Sequence, residues 1–184
     1  MGLLKLNIDC SKCDLAWSRT NIVPGVGSPH AAIMIIGEAP GYQEDKYAEP
    51  FVGPAGIRLK KHYESAGFIR ENFWLTNTIK CRPPNNRTPS DTEITNCREH
   101  LRMEIKGIKP WIIVPMGATA LNIFYPNASI TLLRGKIYKI NGTYIVPMYH
   151  PSYALRDKQA NIVSIEDWKL VKILHNKLID NLIR

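Results

Sequence analysis

Four short apolar runs, separated by longer amphipathic stretches, constrain this fold more than anything else in the chain. "AAIMIIGEA" (31–39) reads as a buried strand that runs into a Gly/Pro turn. "FWLTNTIK" (73–80) and "WIIVPMG" (111–117) read as two more strands. "RGKIYKINGTYIVPMYH" (134–150) carries Asn141-Gly142, a strong hairpin signal, and its second arm ends at His150. Between them, "GPAGIRLKKHYESAGF" (53–68) has a helical apolar spacing at Ile57, Leu59 and Tyr63, with Gly67 as a stop. "SDTEITNCREHLRMEIKGI" (90–108) opens with Ser90 three residues before Glu93, the pattern of a capping box. The tail "IEDWKLVKILHNKLIDNLI" is amphipathic, with Trp168, Leu170, Val171, Ile173, Leu174, Leu178 and Leu182 as its apolar residues. Strands that alternate with helices predict an α/β fold, a parallel sheet covered on both faces. Ligands of such sheets bind beyond the carboxyl ends of the strands. That rule places "GEAPG", Asn77 and His150 on one rim although they are far apart in sequence.

The 184 residues suffice for one compact domain, 1–184, with a sizeable core, and no internal repeat interrupts them. Lys and Arg number 24 and Asp and Glu 16, a net charge of +8. That balance suits a polyanionic partner, and equally a solvated basic face. The start "MGLLKLNIDC" meets Asp9 too soon to be a secretion signal, and no apolar run is long enough to span a bilayer. The expectation is therefore a cytoplasmic protein with no membrane association. In a reducing compartment, Cys10-x-x-Cys13 with the distant Cys81 and Cys97 reads as a metal site more readily than as disulfides. Four thiolates suit zinc or an iron–sulfur cluster, and spacing does not choose between them.

Three residues on the expected rim can do chemistry. Phe51, between Pro50 and Val52 in "GEAPGYQEDKYAEPFVGPAG", is either core or a flat platform for a planar ligand. Asn77 sits where strands disfavour Asn. Its amide is either satisfied by nearby backbone or offered to the edge of a pyrimidine. His150 is either a structural histidine or part of a site in which Ser152 and Arg156 touch a phosphate backbone and Leu155 wedges into a base stack.

Taken together, Cys10-x-x-Cys13, "GEAPG", "EPFVGPAG", "TNTIKCRPPNNRTP", Cys97, "LRGKIY" and "HPSYALR" resemble the family 4 uracil-DNA glycosylases, the iron–sulfur type of thermophilic bacteria and archaea. The match runs over nearly the whole chain. It implies a three-layer α/β/α sandwich around a four-stranded parallel sheet, and a 4Fe–4S cluster on Cys10, Cys13, Cys81 and Cys97, with zinc as the alternative. It implies a monofunctional enzyme that hydrolyses the glycosidic bond of deoxyuridine in DNA, the opening step of base excision repair. Phe51 would stack on the flipped uracil, Asn77 would read its O4 and N3–H, and His150 would bond its O2. Glu38, Ala39 and Pro40 would line the rest of the pocket, with Gly41 and Tyr42 as the wall against a thymine methyl. Lys80, Arg82 and Arg87 would lie near DNA phosphates, with Ser152, Leu155 and Arg156 on the other side.

Two positions depart from what the resemblance leads one to expect. The better-known uracil glycosylases carry an Asp to position water where this chain has Ala39. Glu38 is the expected substitute; the alternatives are Glu44, Asp45, or a sugar cation that forms without strong base assistance. The wedge loop has Ala154-Leu155 where relatives often carry two leucines. The competing readings are a non-catalytic, metal-stapled nucleic-acid-binding module and a glycosylase for another deaminated base such as hypoxanthine. A relative that traps the abasic sugar covalently would carry a basic, His-containing insertion, and "YQEDKYAEPF" has none. The expected partner is uracil-containing DNA, single- or double-stranded, met by a monomer; no docking peptide for a sliding clamp is recognisable.

Overall fold

The computed structural model describes residues 9–183, with the side chains of 182 and 183 outside that description. The readings of the first eight residues and of Leu182 therefore fall outside the described residues. Strands β1 (Val26–Gly27), β2 (Ile33–Gly37), β3 (Phe73–Asn77), β4 (Ile112–Pro115), β5 (Tyr138–Ile140) and β6 (Thr143–Ile145) form one sheet in the order β1-β3-β2-β4-β6-β5. The central four, β3, β2, β4 and β6, are mutually parallel. The expected four-stranded parallel sheet is thus present, but it carries two further strands, one antiparallel at each edge. The outer strand β1 is two residues long, too short to leave a periodic signal in the sequence. Strand β5 is the first arm of the hairpin. Its turn residues Asn141 and Gly142 both have positive φ, as a tight two-residue turn requires.

The helices are α1 (Leu15–Ser18), α2 (Tyr42–Tyr47), α3 (Pro54–Ser65), α4 (Asp91–Ile108), α5 (Ala118–Asn122), α6 (Ile130–Leu133), α7 (Pro151–Ala154) and α8 (Lys158–Ile183). Side chains alternate across a strand, and both faces here are apolar. Ile33 and Ile35 of β2 join Leu59 and Tyr63 of α3 and Trp168 and Val171 of α8 in one core layer. Met34 and Ile36 join Leu101 and Ile108 of α4 and Ala120 of α5 in the other. Three layers result. Trp168 anchors the first, with Phe73, Phe68 and Tyr63 ring centroids 5.5, 6.0 and 6.1 Å from its own. Two residues assigned to apolar stripes, Ile57 and Ile173, are instead exposed, because the helical period turns each to the side of its helix opposite the buried residues.

Helix α4 starts as its sequence predicts. The Glu93 N–H donates to Ser90 Oγ at 3.2 Å, and the Ser90 N–H donates to Glu93 Oε2 at 2.8 Å. Among the described residues no helix is long and apolar enough to cross a membrane.

Candidate active site

The carboxyl ends of β2, β3 and β4 and the segment after β6 open onto one cleft of about 560 Å³. Glu38, Ala39, Pro40, Phe51, Asn77 and His150 all line it, so the rim expected from topology exists and gathers the expected residues. Gly37, the last residue of β2, explains how closely they meet. A Cβ there would collide with Asn77 Oδ1 and would come 2.8 Å from the Phe51 ring. Only glycine lets the Asn77 amide and the Phe51 ring share that corner.

Phe51 reaches the cleft on a left-handed backbone, φ 59°. A non-glycine residue in that region is held there by its surroundings. Here the carbonyl of Phe51 packs against Gly56 of α3, where any Cβ would clash with it. Glu44 closes the other side of the loop: the Gly53 N–H donates to its Oε1 at 2.8 Å and the Gly41 N–H to its Oε2 at 3.2 Å. Asp45 is buried and accepts from the N–H groups of Thr20 and Asn21 at 2.9 and 3.1 Å. Of the three carboxylates weighed for water positioning, two therefore hold backbone. Glu38 instead accepts from a hydroxyl, Thr119 Oγ1, which donates to its Oε2 at 2.5 Å.

His150 caps α7. Its Nδ1 lies 2.8 Å from Ser152 Oγ and accepts from the Ser152 N–H at 3.3 Å. An accepting Nδ1 leaves the proton on Nε2, so the ring is a neutral donor. Burial, helped by the Arg156 cation, lowers its pKa to about 4 and keeps it so at neutral pH. Asn77 is 3 % exposed and lines the cleft.

The cysteines meet away from this cleft. Cys10, Cys13, Cys81 and Cys97 rim one small cavity, backed by Leu15 and Ile79. Arg19 Nη1 donates to Cys81 Sγ at 3.2 Å and the Lys80 N–H to Cys97 Sγ at 3.3 Å. Burial pushes the Cys97 thiol up to about 11 and raises that of Cys81. His100, one turn on from Cys97, lines the same cavity, is buried, and has no hydrogen-bond partner on either ring nitrogen among the described residues. A buried ring with two orphaned nitrogens facing four sulfurs fits a polar occupant among them. No three His, Cys, Asp or Glu side chains among the described residues are arranged to hold a single metal ion.

Comparison with known proteins decides the lineage. Residues 24–176 match the family model described as the uracil DNA glycosylase superfamily. A type-4 uracil-DNA glycosylase of Thermotoga maritima is 41 % identical over 168 residues, 89 % of this chain and 88 % of that protein. The type-4 uracil-DNA glycosylase of Sulfurisphaera tokodaii is 42 % identical over 177 residues, covering 91 % and 80 %. That of Archaeoglobus fulgidus is 37 % identical over 179 residues, covering 92 % and 90 %. The chain belongs to the uracil-DNA glycosylase superfamily, in its type-4 branch.

Within this glycosylase the residues expected along DNA divide. Arg82 and Arg87 stand beside the cleft. The Arg82 cation lies over the Tyr42 ring, 5.2 Å from its centroid, and Arg87 is exposed and grips Glu93 with two bonds of 2.9 and 2.6 Å. Ser152 lines the cleft, and Leu155 and Arg156 are exposed beyond it. Lys80 is a correction. It is 1 % exposed, and its ammonium is bound to Glu104 at 2.7 Å, so it does not face a DNA backbone. The basic run "KCRPPNNR" misled because Lys80 lies on the buried continuation of β3, before the loop turns outward. Sequence reasoning also missed Thr119, the partner of Glu38. The available signal was its place just after the carboxyl end of β4, on the same rim.

Proposed function

We propose that this chain is a monofunctional uracil-DNA glycosylase that hydrolyses the bond between uracil and C1′ of deoxyribose. The observation that carries the reading is the convergence of the Phe51 ring, the Asn77 amide, the neutral His150 ring and Glu38 on one cleft. Those are a stacking platform, a base reader, an oxyanion donor and a carboxylate.

The target base must leave the stack to enter such a cleft. Phe51 stacks on it. The Asn77 side chain donates to O4 and accepts from N3–H; cytosine would set its exocyclic amine against the donor. As the glycosidic bond stretches, the sugar gains positive and the base negative charge. The His150 Nε2–H donates to O2 as that charge grows, and one such donor is typically worth about 3 kcal/mol. Glu38, steadied by Thr119, holds the water that adds its oxygen to C1′. The water's second proton returns through solvent or the carboxylate to the departing uracil.

Cys10, Cys13, Cys81 and Cys97 hold a 4Fe–4S cluster in this reading, a group that needs four sulfurs around a volume rather than one point. When bound, its contribution is to staple the segments 10–13 and 81–97, with no redox step in the hydrolysis.

The decisive experiment incubates the purified protein with a single-stranded oligonucleotide holding one uracil, followed by alkali. Strand cleavage at uracil and none at a thymine control is the expected result. Absence of cleavage by protein with its visible iron–sulfur absorption intact would overturn the reading and favour a binding module or a different damaged base.

A further inference from the structure

Lys80 and Glu104 form a buried ion pair that the cleft chemistry does not use; both side chains are 1 % exposed. Every N–H of the ammonium has a partner. Nζ donates to Glu104 Oε2 at 2.7 Å, to Thr76 Oγ1 at 2.5 Å and to the Asn77 carbonyl at 2.8 Å. Thr76 Oγ1 in turn donates to Glu104 Oε2 at 2.7 Å, and the Gly25 N–H donates to Glu104 Oε1 at 2.9 Å. The cage is complete and leaves the ammonium one position.

Such a pair is a poor way to stabilise a core, since desolvating two charges commonly costs more than their attraction returns. Its value lies in what it fixes. One hydrogen bond ends on the main-chain carbonyl of Asn77, the residue at the tip of β3 whose amide faces the cleft. The next peptide N–H, of Thr78, donates to the Gly37 carbonyl at 2.8 Å. The peptide that carries the base reader is thus held from both sides. On the other side of the same residue, the Lys80 N–H donates to Cys97 Sγ.

We infer that Lys80 is a positioning residue that ties the four-cysteine site to the base reader: its ammonium sets the Asn77 peptide while its N–H holds the Cys97 sulfur. This rests on the reading of the cleft as a uracil site. Order in the cysteine site then reaches the base pocket through one residue, although the two cavities are separate.

The test is the double variant Lys80→Met/Glu104→Gln. Methionine replaces the lysine stem and removes the charge but keeps the main-chain N–H for Cys97. Glutamine still accepts from the Gly25 N–H, so no buried charge is left alone. The readouts are the inhibition constant of free uracil, KM and kcat on the uracil oligonucleotide, the visible absorption of the cluster and thermal unfolding. Losing one well-aimed contact to the base edge corresponds to roughly a five- to tenfold rise in the uracil inhibition constant. KM for DNA should stay within twofold of the parent and the absorption should persist. Thr76→Val, nearly isosteric, removes one partner of the ammonium and should raise the constant less, in the same direction; it serves as the arm if the double variant does not fold. A uracil inhibition constant unchanged in the variants that fold, whatever happens to their melting temperature, overturns the inference and leaves the ion pair a structural feature. Failure of the unaltered protein to release uracil overturns the underlying reading instead, so the two failures are told apart.

Discussion

At the scale of single residues, the protonation of His150 is set by where it sits. Its neutral form is favoured by burial and by Arg156, which depress its pKa to about 4 from an ordinary 6.5. Unfolded, the ring takes up its proton as pH falls through 6.5; folded, it does so only near 4. The neutral-ring contribution to stability is therefore fully present above 6.5 and is lost as pH falls from there toward 4. His62 and His175 are lowered by burial as well, so they push in the same direction. The melting temperature should decline between pH 6.5 and 4.5, read by calorimetry. Activity should show no inflection near 6.5 from His150, because its donor is intact throughout that range; a rate that halves there would remove the neutral-donor assignment. His150→Ala should lower kcat about a hundredfold while leaving DNA affinity within a few-fold, since a donor aimed at developing charge acts mainly in the transition state.

At the scale of elements, the two ends of the central helices carry distinct loads. Ser90→Ala removes one half of the capping box of α4 and should cost about 1 kcal/mol, visible as a lower denaturant midpoint. Gly56→Ala in α3 should go against the usual rule. Alanine normally favours a helix over glycine by about 1 kcal/mol. Here the new Cβ meets the Phe51 carbonyl, so the variant should unfold more easily and lose uracil affinity together, measured by thermal unfolding and uracil inhibition. These two helices also show what was legible beforehand. The start of α4 was written locally, in Ser90 and Glu93, and the structure follows it. The rim was legible because topology alone sends Glu38, Asn77 and His150 to the same side of a parallel sheet. The fate of Lys80 was not, because its partner Glu104 lies 24 positions on and nothing local distinguishes a caged ammonium from a solvated one. Thr119 escaped for a similar reason: its link to Glu38 spans 81 positions. Strand β1 escaped because two residues cannot show a period.

At the scale of the molecule, the net charge of +8 should appear as salt-dependent DNA binding. Each phosphate neutralised contributes about −0.7 to the slope of log affinity against log salt on single strands and about −0.9 on duplex. Arg82, Arg87 and Arg156 sit at the cleft or beyond it with exposed or half-exposed side chains. Lys80 does not. The charge census alone treats all four cations alike; the fold separates them. Arg156→Ala should therefore reduce the slope by about one phosphate's worth on either substrate. Lys80→Met/Glu104→Gln leaves the net charge unchanged, losing one cation and one anion, both buried, and its slope should match the parent's. Arg87→Ala is the intermediate case. Its guanidinium is already committed to Glu93, so removing it also leaves that buried carboxylate without its cation, held only by the Ser90 N–H among the described residues. The expected loss of affinity then exceeds that of Arg156→Ala at low salt, and the excess shrinks only in part as salt rises, because the carboxylate is buried and salt screens it less. Equilibrium binding titrations at four salt concentrations, on single-stranded and duplex oligonucleotides, resolve the three patterns. A slope change for the Lys80 double variant as large as that for Arg156→Ala would mean that the buried pair opens when DNA binds.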